Sequence, residues 1–585
     1  MAAIASGAAG NWSSTSTWTG GVVPGNGDTV SVGHAVTVDT NTTVGHSPGA
    51  ADATAAIAVS TGASLVVAAG ITLVVRGDCT LAGTATLTLN AGSVYEFDAS
   101  QAATPSTALY VLQGGLAHSQ TTRIILNGVS GNRATMRSNA SGANGRITSG
   151  VFINGGRVEA VYSNFLRLGD VSNNSISFYP SSGTTNSYSY CTFNACGRVQ
   201  TNTGPSVSAV ISFSHCTWKN SVGSESLYLH GSAKTTGSRI VEYCWFDKIS
   251  SFFSVIDVAF SNNVFAAGAN FTYSAPGWVQ FEQNLIHHGS QINMPANTLN
   301  NVYLMNDTTN PHYMSPLTNQ DVVFDGWIIE QIGDSPVADG DVFLGASPSV
   351  LRTFTVRNCI KLPNSAGTSA GCLVSLLGNG NQRWVIEHNT YHLGGAVDSS
   401  GVRHGETETG GAHAGTLQSV RSNLVWDTTV RGYKVTANTL PGTTDSLVLG
   451  DYNGGHNFAA GSGGKGYNTT TTAPQGDHDV EADPQFVDST RRFRTWDAAL
   501  GGAGTNANGL AELAKMNDDS GYNSNYTVAA FIAYIRAGFT PTNAAFKGTA
   551  HDGGDIGAVP VQLSGGGTGY KWATPVRRLL TGILG

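Results

Sequence analysis

The chain has 585 residues and a formal net charge of −8, with only 12% charged residues and 74 glycines. Long helices would require more glutamate, lysine and leucine, so the composition favours strands and turns, and 40% hydrophobic residues exclude simple disorder. The 30 basic residues form no basic run, which argues against binding nucleic acid through its phosphates.

Residues 1–50 predict an N-terminal cap. Trp12 and Trp18 precede a Gly-Gly pair, a Val-Pro pair and the stretch Gly27-Asp28-Thr29-Val30. This order resembles the opening of G8-type β-helix modules. The open end of a stack of strands exposes strand edges and core, and two tryptophans with a proline can cover them. A ligand-binding role for the same residues is the alternative interpretation.

The N-terminus also lacks the basic start and the long apolar core of a signal peptide. No run of 18 apolar residues predicts a membrane span. We therefore expect a chain that is made in a cytoplasm and does not insert into membranes.

Residues 51–480 predict a solenoid. Apolar residues alternate from 56 to 89 between glycines spaced six to nine residues apart, about one side of a triangular coil. The segments 190–194, 215–220 and 243–247 then repeat one Cys-containing pattern at intervals of 25 and 28 residues. Stacked units of this length bury their inner faces only against their neighbours, so the period predicts a right-handed parallel β-helix.

Looser copies of the repeat place asparagine beside an apolar residue. They contain Asn164, Asn263, Asn284, Asn358, Asn389 and Asn423. Asparagine tolerates left-handed backbone and hydrogen-bonds its own chain, so we expect it at the corners of the coils.

The seven cysteines are an odd number without metal-ligand spacing. Cys191, Cys216 and Cys244 occupy the same place in successive repeats. We therefore expect a buried column of free thiols rather than disulfides or a zinc site.

Two stretches interrupt the repeat and predict projecting loops, residues 394–415 and 450–476. Long loops of this kind are uncommon without a role, which favours contact with a partner or a glycan there.

Residues 481–560 predict a closing region. The segments 482–488, with Asp-Pro-x-Phe, and 551–558, with Asp-Ile-Gly-Ala, resemble signatures that close many pectate-lyase-like β-helix proteins. Between them, apolar residues from 526 to 539 have helical spacing and are followed by glycine and proline, which predicts a capping helix.

Residues 561–585 predict a linker and a docking tail. A glycine-rich stretch leads to a segment that combines one aromatic residue, two arginines and several leucines. So much apolar surface on a short piece favours docking on another chain or on a copy of this one. The candidate docking residues are Trp572, Arg577, Arg578, Leu579 and Leu580.

The resemblance to pectate-lyase-like proteins implies three possible classes of protein. They are polysaccharide lyases, glycoside hydrolases, and bacteriophage tailspikes or other virion proteins. A glycosidase requires two converging carboxylates. Candidates on or near strands are Glu242, Asp257, Glu282, Asp325, Glu330 and Glu387. Glu282 and Glu387 are the catalytic candidates because each stands before the asparagine of its repeat with histidine nearby. Solvated surface carboxylates are the alternative.

A lyase would require clustered acidic residues for calcium. Asp477, Asp479 and Glu481 could share one face of an extended strand and bind a structural Ca²⁺. Polar turn residues before the closing signature are the alternative, and no other cofactor is expected.

The leading hypothesis is a bacteriophage virion structural protein, a tail or capsid-attached fibre or spike that contacts host surface glycans. Its partners would be other virion proteins or copies of itself, for example in a trimer. The alternative is a polysaccharide-degrading enzyme, either a glycoside hydrolase or a lyase, including a virion depolymerase. A secreted carbohydrate-binding module is a third hypothesis.

Overall fold

A computed structural model describes most of residues 2–561. The segments outside the description are 46–54, 78, 99–107, 113–121, 140–149, 155–156, 169–175, 180–184, 198, 202–209, 221–226, 230–238, 248–257, 267–277, 288–290, 295–297, 306–312, 317–320, 333–342, 345–351, 364–373, 377–381, 393–401, 405–417, 429–432, 436–449, 459–466, 470–477 and 518–522.

The described chain is an all-β solenoid of parallel sheets, as the sequence predicts. Strands three positions apart along the chain pair in parallel, so one coil contributes a strand to each face. The second and third sheets run through the whole solenoid. The first and fourth occupy the same place in the coil, because from Ile57–Val59 to Tyr433–Val435 each of their strands follows one of the third sheet and precedes one of the second. With 17 described strands in the second sheet, the stack is about 77 Å long at about 4.8 Å per strand.

The strands of the first sheet are Ala3–Ala5, Thr29–Val32, Ile57–Val59, Cys79–Ala82, Ala108–Leu112, Gly150–Asn154, Ile176–Tyr179, Val199–Thr201 and Leu227–Leu229. Those of the fourth are Gln291–Met294, Tyr313–Pro316, Phe343–Leu344, Val374–Leu376, Val402–His404, Tyr433–Val435 and Tyr467–Thr469.

The strands of the second sheet are Gly10–Asn11, Ala35–Val38, Ser64–Val67, Thr86–Asn90, Arg123–Asn127, Arg157–Val161, Thr185–Ser189, Val210–Ser214, Arg239–Glu242, Val258–Ser261, Trp278–Glu282, Thr298–Leu299, Val322–Asp325, Arg352–Arg357, Gln382–Glu387, Gln418–Arg421 and Gly450–Asp451.

The strands of the third sheet are Thr42–Gly45, Thr72–Arg76, Val94–Phe97, Ala134–Ser138, Ser163–Leu166, Thr192–Asn194, Thr217–Lys219, Trp245–Phe246, Val264–Phe265, Leu285–His287, Val302–Met305, Ile328–Gln331, Ile360–Leu362, Thr390–His392, Leu424–Thr428, Gly454–Phe458 and Val480–Glu481.

The sheets begin inside the predicted N-terminal cap, because residues 1–50 already contain strands of three sheets. Trp12 and Trp18 lie buried against the first coils with their rings edge to face at 4.8 Å. Their indole nitrogens donate to the carbonyl oxygens of Pro24 and Trp12, respectively. Both rings therefore belong to the solenoid core.

The corner between the second and third sheets follows one rule from coil to coil. The last residue before the corner has left-handed backbone, for example His215 with φ 54° and Gln283 with φ 53°. The next residue points inward and is buried. Equivalent residues stack, so the buried positions form a column through the solenoid.

Cys191, Cys216 and Cys244 occupy three successive places in this column, as predicted, and all three are buried free thiols. The amide of Thr217 donates to the carbonyl oxygen of Cys191, and that of Trp245 to Cys216, which places the three residues on adjacent coils. Burial raises the pKa of the Cys191 and Cys216 thiols well above its ordinary value. The seventh cysteine, Cys372, lies outside the described residues.

Asparagines continue the column with inter-coil hydrogen bonds. Asn263 Nδ2 donates to Asn284 Oδ1 at 2.9 Å, and Asn284 Nδ2 donates to Asn301 Oδ1 at 3.2 Å. A second run joins Asn389 to Asn423 in the same way. The prediction of left-handed backbone at the corner asparagines is correct for Asn358. At Asn263, Asn284, Asn389 and Asn423 the residue before the asparagine has left-handed backbone instead.

After the last strand the chain forms three helices, α1 (Phe493–Ala499), α2 (Asn506–Ala514) and α3 (Val528–Gly538), with 3-10 turns at Lys515–Asn517 and Ala544–Phe546. Two further 3-10 turns lie near the N-terminus at Thr15–Thr17 and Thr19–Gly21. Thr505 and Thr527 cap α2 and α3 with their side chains.

We call residues 482–561 the C-terminal lobe. The predicted helix is present as α3, but it packs on the side of the solenoid and does not lie across its end. Its Phe531 and Ile535 belong to an apolar cluster with outward-facing residues of the third sheet from Trp245 to Leu362. These strands are buried on both faces, unlike earlier strands such as Thr72–Arg76, whose side chains alternate between buried and half-buried. An apolar outer face requires such a cover.

The Asp-Ile-Gly-Ala signature attaches the end of the lobe to the third sheet. Ile556 is fully buried against Leu424. Gly557 has φ +103°, its amide donates to Ser422 O, and a Cβ atom there would lie 3.1 Å from Thr390 Oγ1. Only glycine combines this backbone with so close an approach.

Within the described residues, no helix is both long and apolar enough to cross a membrane.

Candidate functional site

A groove lies on the outer face of the third sheet, at the edge of the C-terminal lobe beside Ala514 and Asn517. Its floor consists of the outward residues of three strands, which the register aligns as Asn164, Thr192 and Thr217, and as Leu166, Asn194 and Lys219. Arg133, Ala514 and Asn517 complete the lining, and the groove has a volume of about 380 Å³. The next strand begins with Trp245, which the lobe covers. The groove is therefore the open continuation of a covered surface.

The groove is cationic and rich in hydrogen-bonding groups. Lys219 is exposed, and the described residues of the groove lining include no carboxylate. Arg133 donates to the carbonyl oxygens of Tyr190 and Asn517, which fixes its guanidinium at the rim. Asn517 is 5% exposed and donates to Cys216 O at 2.8 Å, but its Oδ1 accepts no hydrogen bond from the described residues. A buried acceptor without a donor favours a ligand hydroxyl or water there.

An aromatic ladder borders the groove at the corner of the coils. Tyr162, Tyr190, His215 and Tyr243 stack face to face with ring centroids 4.6 to 4.8 Å apart. Each ring covers a face of its neighbour in the stack, so the ladder presents ring edges and polar atoms to its surroundings. Arg133 lies over the outer face of Tyr162 with its guanidinium carbon 5.8 Å from the centroid.

The candidate carboxylates are partly aligned. Glu242, Glu282, Asp325 and Glu387 occupy the same register position at the ends of second-sheet strands. Glu282 and Glu387 are four coils apart, about 19 Å at about 4.8 Å per coil. A glycosidase pair requires about 5 to 9.5 Å, so these two side chains do not form a catalytic pair. Asp325 is ion-paired with Arg357 at 2.9 Å, and Asp257 lies outside the described residues.

Glu330 lies elsewhere, beneath the start of α1. It is 3% exposed, and its Oε2 accepts the backbone N–H of Phe493 at 2.8 Å. Burial raises its pKa from 4.5 to about 7, although Arg492 and the Phe493 N–H act in the opposite direction. Its role is therefore to anchor the C-terminal lobe.

The stability of the C-terminal lobe should fall as pH rises from about 4.5 to about 7. In this window the folded state holds the Glu330 proton and the unfolded state has lost it, so deprotonation favours unfolding. The two pKa values differ by about 2.5, and since a difference of one corresponds to about 1.36 kcal/mol, the lobe should lose about 3 kcal/mol of stability across this window.

Hydrogen exchange of the α1 amides at pH 5 and pH 8 measures this loss of stability. Glu330→Gln should remove most of this dependence and Glu481→Gln, at an exposed site, should retain it; equal dependence in all three proteins would contradict the assignment.

The predicted cation site at Asp477, Asp479 and Glu481 lies only partly within the described residues and stays a prediction. Asp479 Oδ1 accepts the Asn453 N–H at 2.8 Å, at the end of the buried polar column, whereas Glu481 is exposed. Asp477 lies outside the described residues. Asp479 thus serves a structural hydrogen bond, because the last coil has no further asparagine to accept from Asn453.

A second polar cluster forms where residues 551–555 cross the corner column. His551 Nδ1 lies 2.8 Å from Ser422 Oγ, and its Nε2 lies 3.6 Å from Glu387 Oε1. This resembles a serine, histidine and carboxylate arrangement, but Ser422 is fully buried and cannot meet a substrate. The sequence showed His551 only as part of the closing signature, and nothing in it indicated the contact with Glu387.

The candidate docking residues Trp572, Arg577, Arg578, Leu579 and Leu580 lie outside the described residues, as does most of the predicted loop at 394–415. The described part of that stretch, Val402–His404, is a strand, and the stretch 450–476 contains three strands, so the prediction of loops is wrong there.

The chain matches no protein-family model, and it matches neither a curated protein nor a solved structure.

Proposed function

We propose that this protein is a bacteriophage virion attachment protein that binds acidic glycans in the groove beside Lys219. In this proposal the solenoid is a right-handed, pectate-lyase-like β-helix, the hand that parallel strand crossovers adopt in nearly all cases. The tail at 561–585 would join it to other virion proteins or to copies of itself.

The observation that carries the proposal is the chemistry of the groove. It presents Lys219 with the carboxamides of Asn164 and Asn194 and the hydroxyls of Thr192 and Thr217, and its described lining residues include no carboxylate. Amides and hydroxyls match the hydroxyls of a sugar, and the exposed ammonium of Lys219 matches a uronate or another acidic substituent. The floor is built from paired strands of one sheet, so little ordering would accompany binding.

Glycan cleavage is disfavoured by the same geometry. The described residues of the groove lining supply no acid or base of the carboxylate type, and Glu282 and Glu387 are too far apart to act on one bond. We therefore propose binding without hydrolysis or elimination.

Reversal of the charge of Lys219 should weaken glycan binding. Titration of the protein with uronate-containing oligosaccharides should show saturable binding, and Lys219→Glu should reduce affinity about tenfold or more because it places a carboxylate against an anionic ligand. Lys547→Glu, an equal charge change at an exposed site of the lobe, is the matched control. Equal binding by both variants would remove the groove from the proposal.

Two further experiments test whether the protein cleaves the glycan and whether it belongs to the virion. Chain-length analysis of the glycan after incubation should show no cleavage; cleavage that Glu282→Gln or Glu387→Gln abolishes would favour the enzyme instead.

Sedimentation of particles from a producing culture should carry the protein with the virions, and its recovery only as free chain would contradict the virion assignment.

A further inference from the structure

Three metal-ligating side chains meet where the C-terminal lobe crosses the solenoid, and Glu387 lies beside one of them. Glu387 ends a second-sheet strand and His388 is the left-handed corner residue that follows it. His551 and Asp552 come from the turn before the Asp-Ile-Gly-Ala signature. Ligand atoms of His388, His551 and Asp552 all lie within 4.8 Å of one another.

The hydrogen bond of His388 defines which of its nitrogens faces the cluster. Nδ1 lies 3.1 Å from the carbonyl oxygen of Asp555. A carbonyl oxygen can only accept, so Nδ1 carries the hydrogen and Nε2 of the neutral ring carries a lone pair. Nε2 lies 3.2 Å from Asp552 Oδ2. A nitrogen lone pair and a carboxylate oxygen repel each other unless a positive charge lies between the two atoms. That charge is either a proton on the ring nitrogen or a metal ion.

The distances fit a metal ion. Zinc bonds of about 2.0 to 2.2 Å to nitrogen and oxygen place neighbouring ligands of a tetrahedron about 3.3 Å apart. The cluster supplies such a pair in His388 Nε2 and Asp552 Oδ2 at 3.2 Å, and His551 Nε2 completes a set of three ligand atoms within 4.8 Å of one another.

The surroundings also have the form of a metal site. Nδ1 of each ring is held by an oxygen, Asp555 O for His388 and Ser422 Oγ for His551, an arrangement that orients imidazoles toward a metal. Two imidazoles disfavour Ca²⁺ and Mg²⁺, which prefer oxygen ligands only. Asp552 is 53% exposed, which leaves an entry path from solvent.

We propose that His388, His551 and Asp552 bind one divalent transition-metal ion of the zinc class, with Glu387 beside His551. One ligand belongs to the solenoid and two to the C-terminal lobe. The bound ion therefore joins the end of the lobe to the coil beneath it, and the site is distinct from the groove near Lys219.

The test uses the full chain, freed of metal with a chelator and titrated with Zn²⁺ by calorimetry and with Co²⁺ by visible absorption. We expect one ion per chain with micromolar or tighter affinity, and a cobalt spectrum typical of tetrahedral nitrogen and oxygen ligands. His551→Ala and Asp552→Asn should weaken binding by about 100-fold or more, since loss of even outer partners costs about 10- to 100-fold. His34→Ala, at an exposed histidine, should bind as the unchanged protein does.

A second readout reports the predicted link directly. Zn²⁺ should slow proteolysis within residues 547–561 of the unchanged protein and leave the Asp552→Asn protein unaffected. Circular dichroism separates loss of binding from loss of fold, and Asp552→Asn is expected to fold because the side chain is half-exposed. Absence of saturable binding to the folded, unchanged protein would overturn the proposal, as would binding that persists undiminished in both ligand variants. Either result would leave the cluster as a protonated histidine paired with a carboxylate.

Discussion

Asn284→Ala should lower the free energy of unfolding by about 3 to 5 kcal/mol. The side chain donates to Phe260 O at 3.1 Å and accepts from both the backbone and the side-chain nitrogen of Asn263 at 3.0 and 2.9 Å. Alanine would leave the Asn263 N–H buried and unpaired, at about 1 to 3 kcal/mol, and would remove one hydrogen bond each from Asn263 Nδ2 and Phe260 O, at about 1 kcal/mol each. Since equivalent asparagines repeat this pattern on neighbouring coils, the loss should open the solenoid locally as well as lower its overall stability.

Urea denaturation followed by circular dichroism measures the effect, with hydrogen exchange of the coils around residue 284 as a local readout. Asn127→Ala is the matched control, because Asn127 is exposed at the end of a strand of the second sheet. It should change stability by less than about 0.5 kcal/mol. A loss for Asn284→Ala no larger than this would show that the column fills space without contributing through its hydrogen bonds.

Removal of the C-terminal lobe should make the protein aggregate. A chain that ends at residue 482 would expose the outward apolar residues Trp245, Val264, Leu285, Val302, Leu304, Ile328, Ile360 and Leu362, each at most 8% exposed when covered. Burial of one such side chain contributes about 1.5 to 3 kcal/mol. A contiguous apolar strip of this size on a sheet is an association site.

Light scattering and binding of a hydrophobic dye should both rise in the chain truncated at residue 482. The control deletes residues 565–585 only, which leaves the whole lobe in place, so its solenoid should stay folded and free of the dye. A monomeric, dye-free protein after truncation at 482 would show that the lobe is not needed to cover the third sheet.

Much of the architecture is predictable from single residues and their spacing. The 25- and 28-residue intervals between Cys191, Cys216 and Cys244 predict a stack, because only a repeated coil returns the same small side chain to the same buried place. The helix around Phe531 is predictable for a similarly local reason, since its apolar spacing and the glycine and proline after it depend on neighbouring residues alone.

The buried asparagines show where local reasoning ends. Their residue type suggests a turn that bonds to itself, yet Asn284 and Asn389 bond to the next coil. The sequence carries a usable signal for the covered face of the third sheet, because paired apolar residues such as Val264-Phe265 and Ile328-Ile329 indicate strands buried on both sides. It does not show which segment covers them.

Short-range patterns in the sequence are enough to predict the repeat, the parallel solenoid, the buried column and a C-terminal helix. How those parts act together depends on contacts between residues far apart in the chain. The folded chain separates Glu282 from Glu387 by four coils, forms a groove at the edge of the lobe beside Asn517, and brings His551 to Glu387 across 164 residues of chain. Such pairings depend on where the lobe docks, and docking is set by the summed apolar fit of two surfaces.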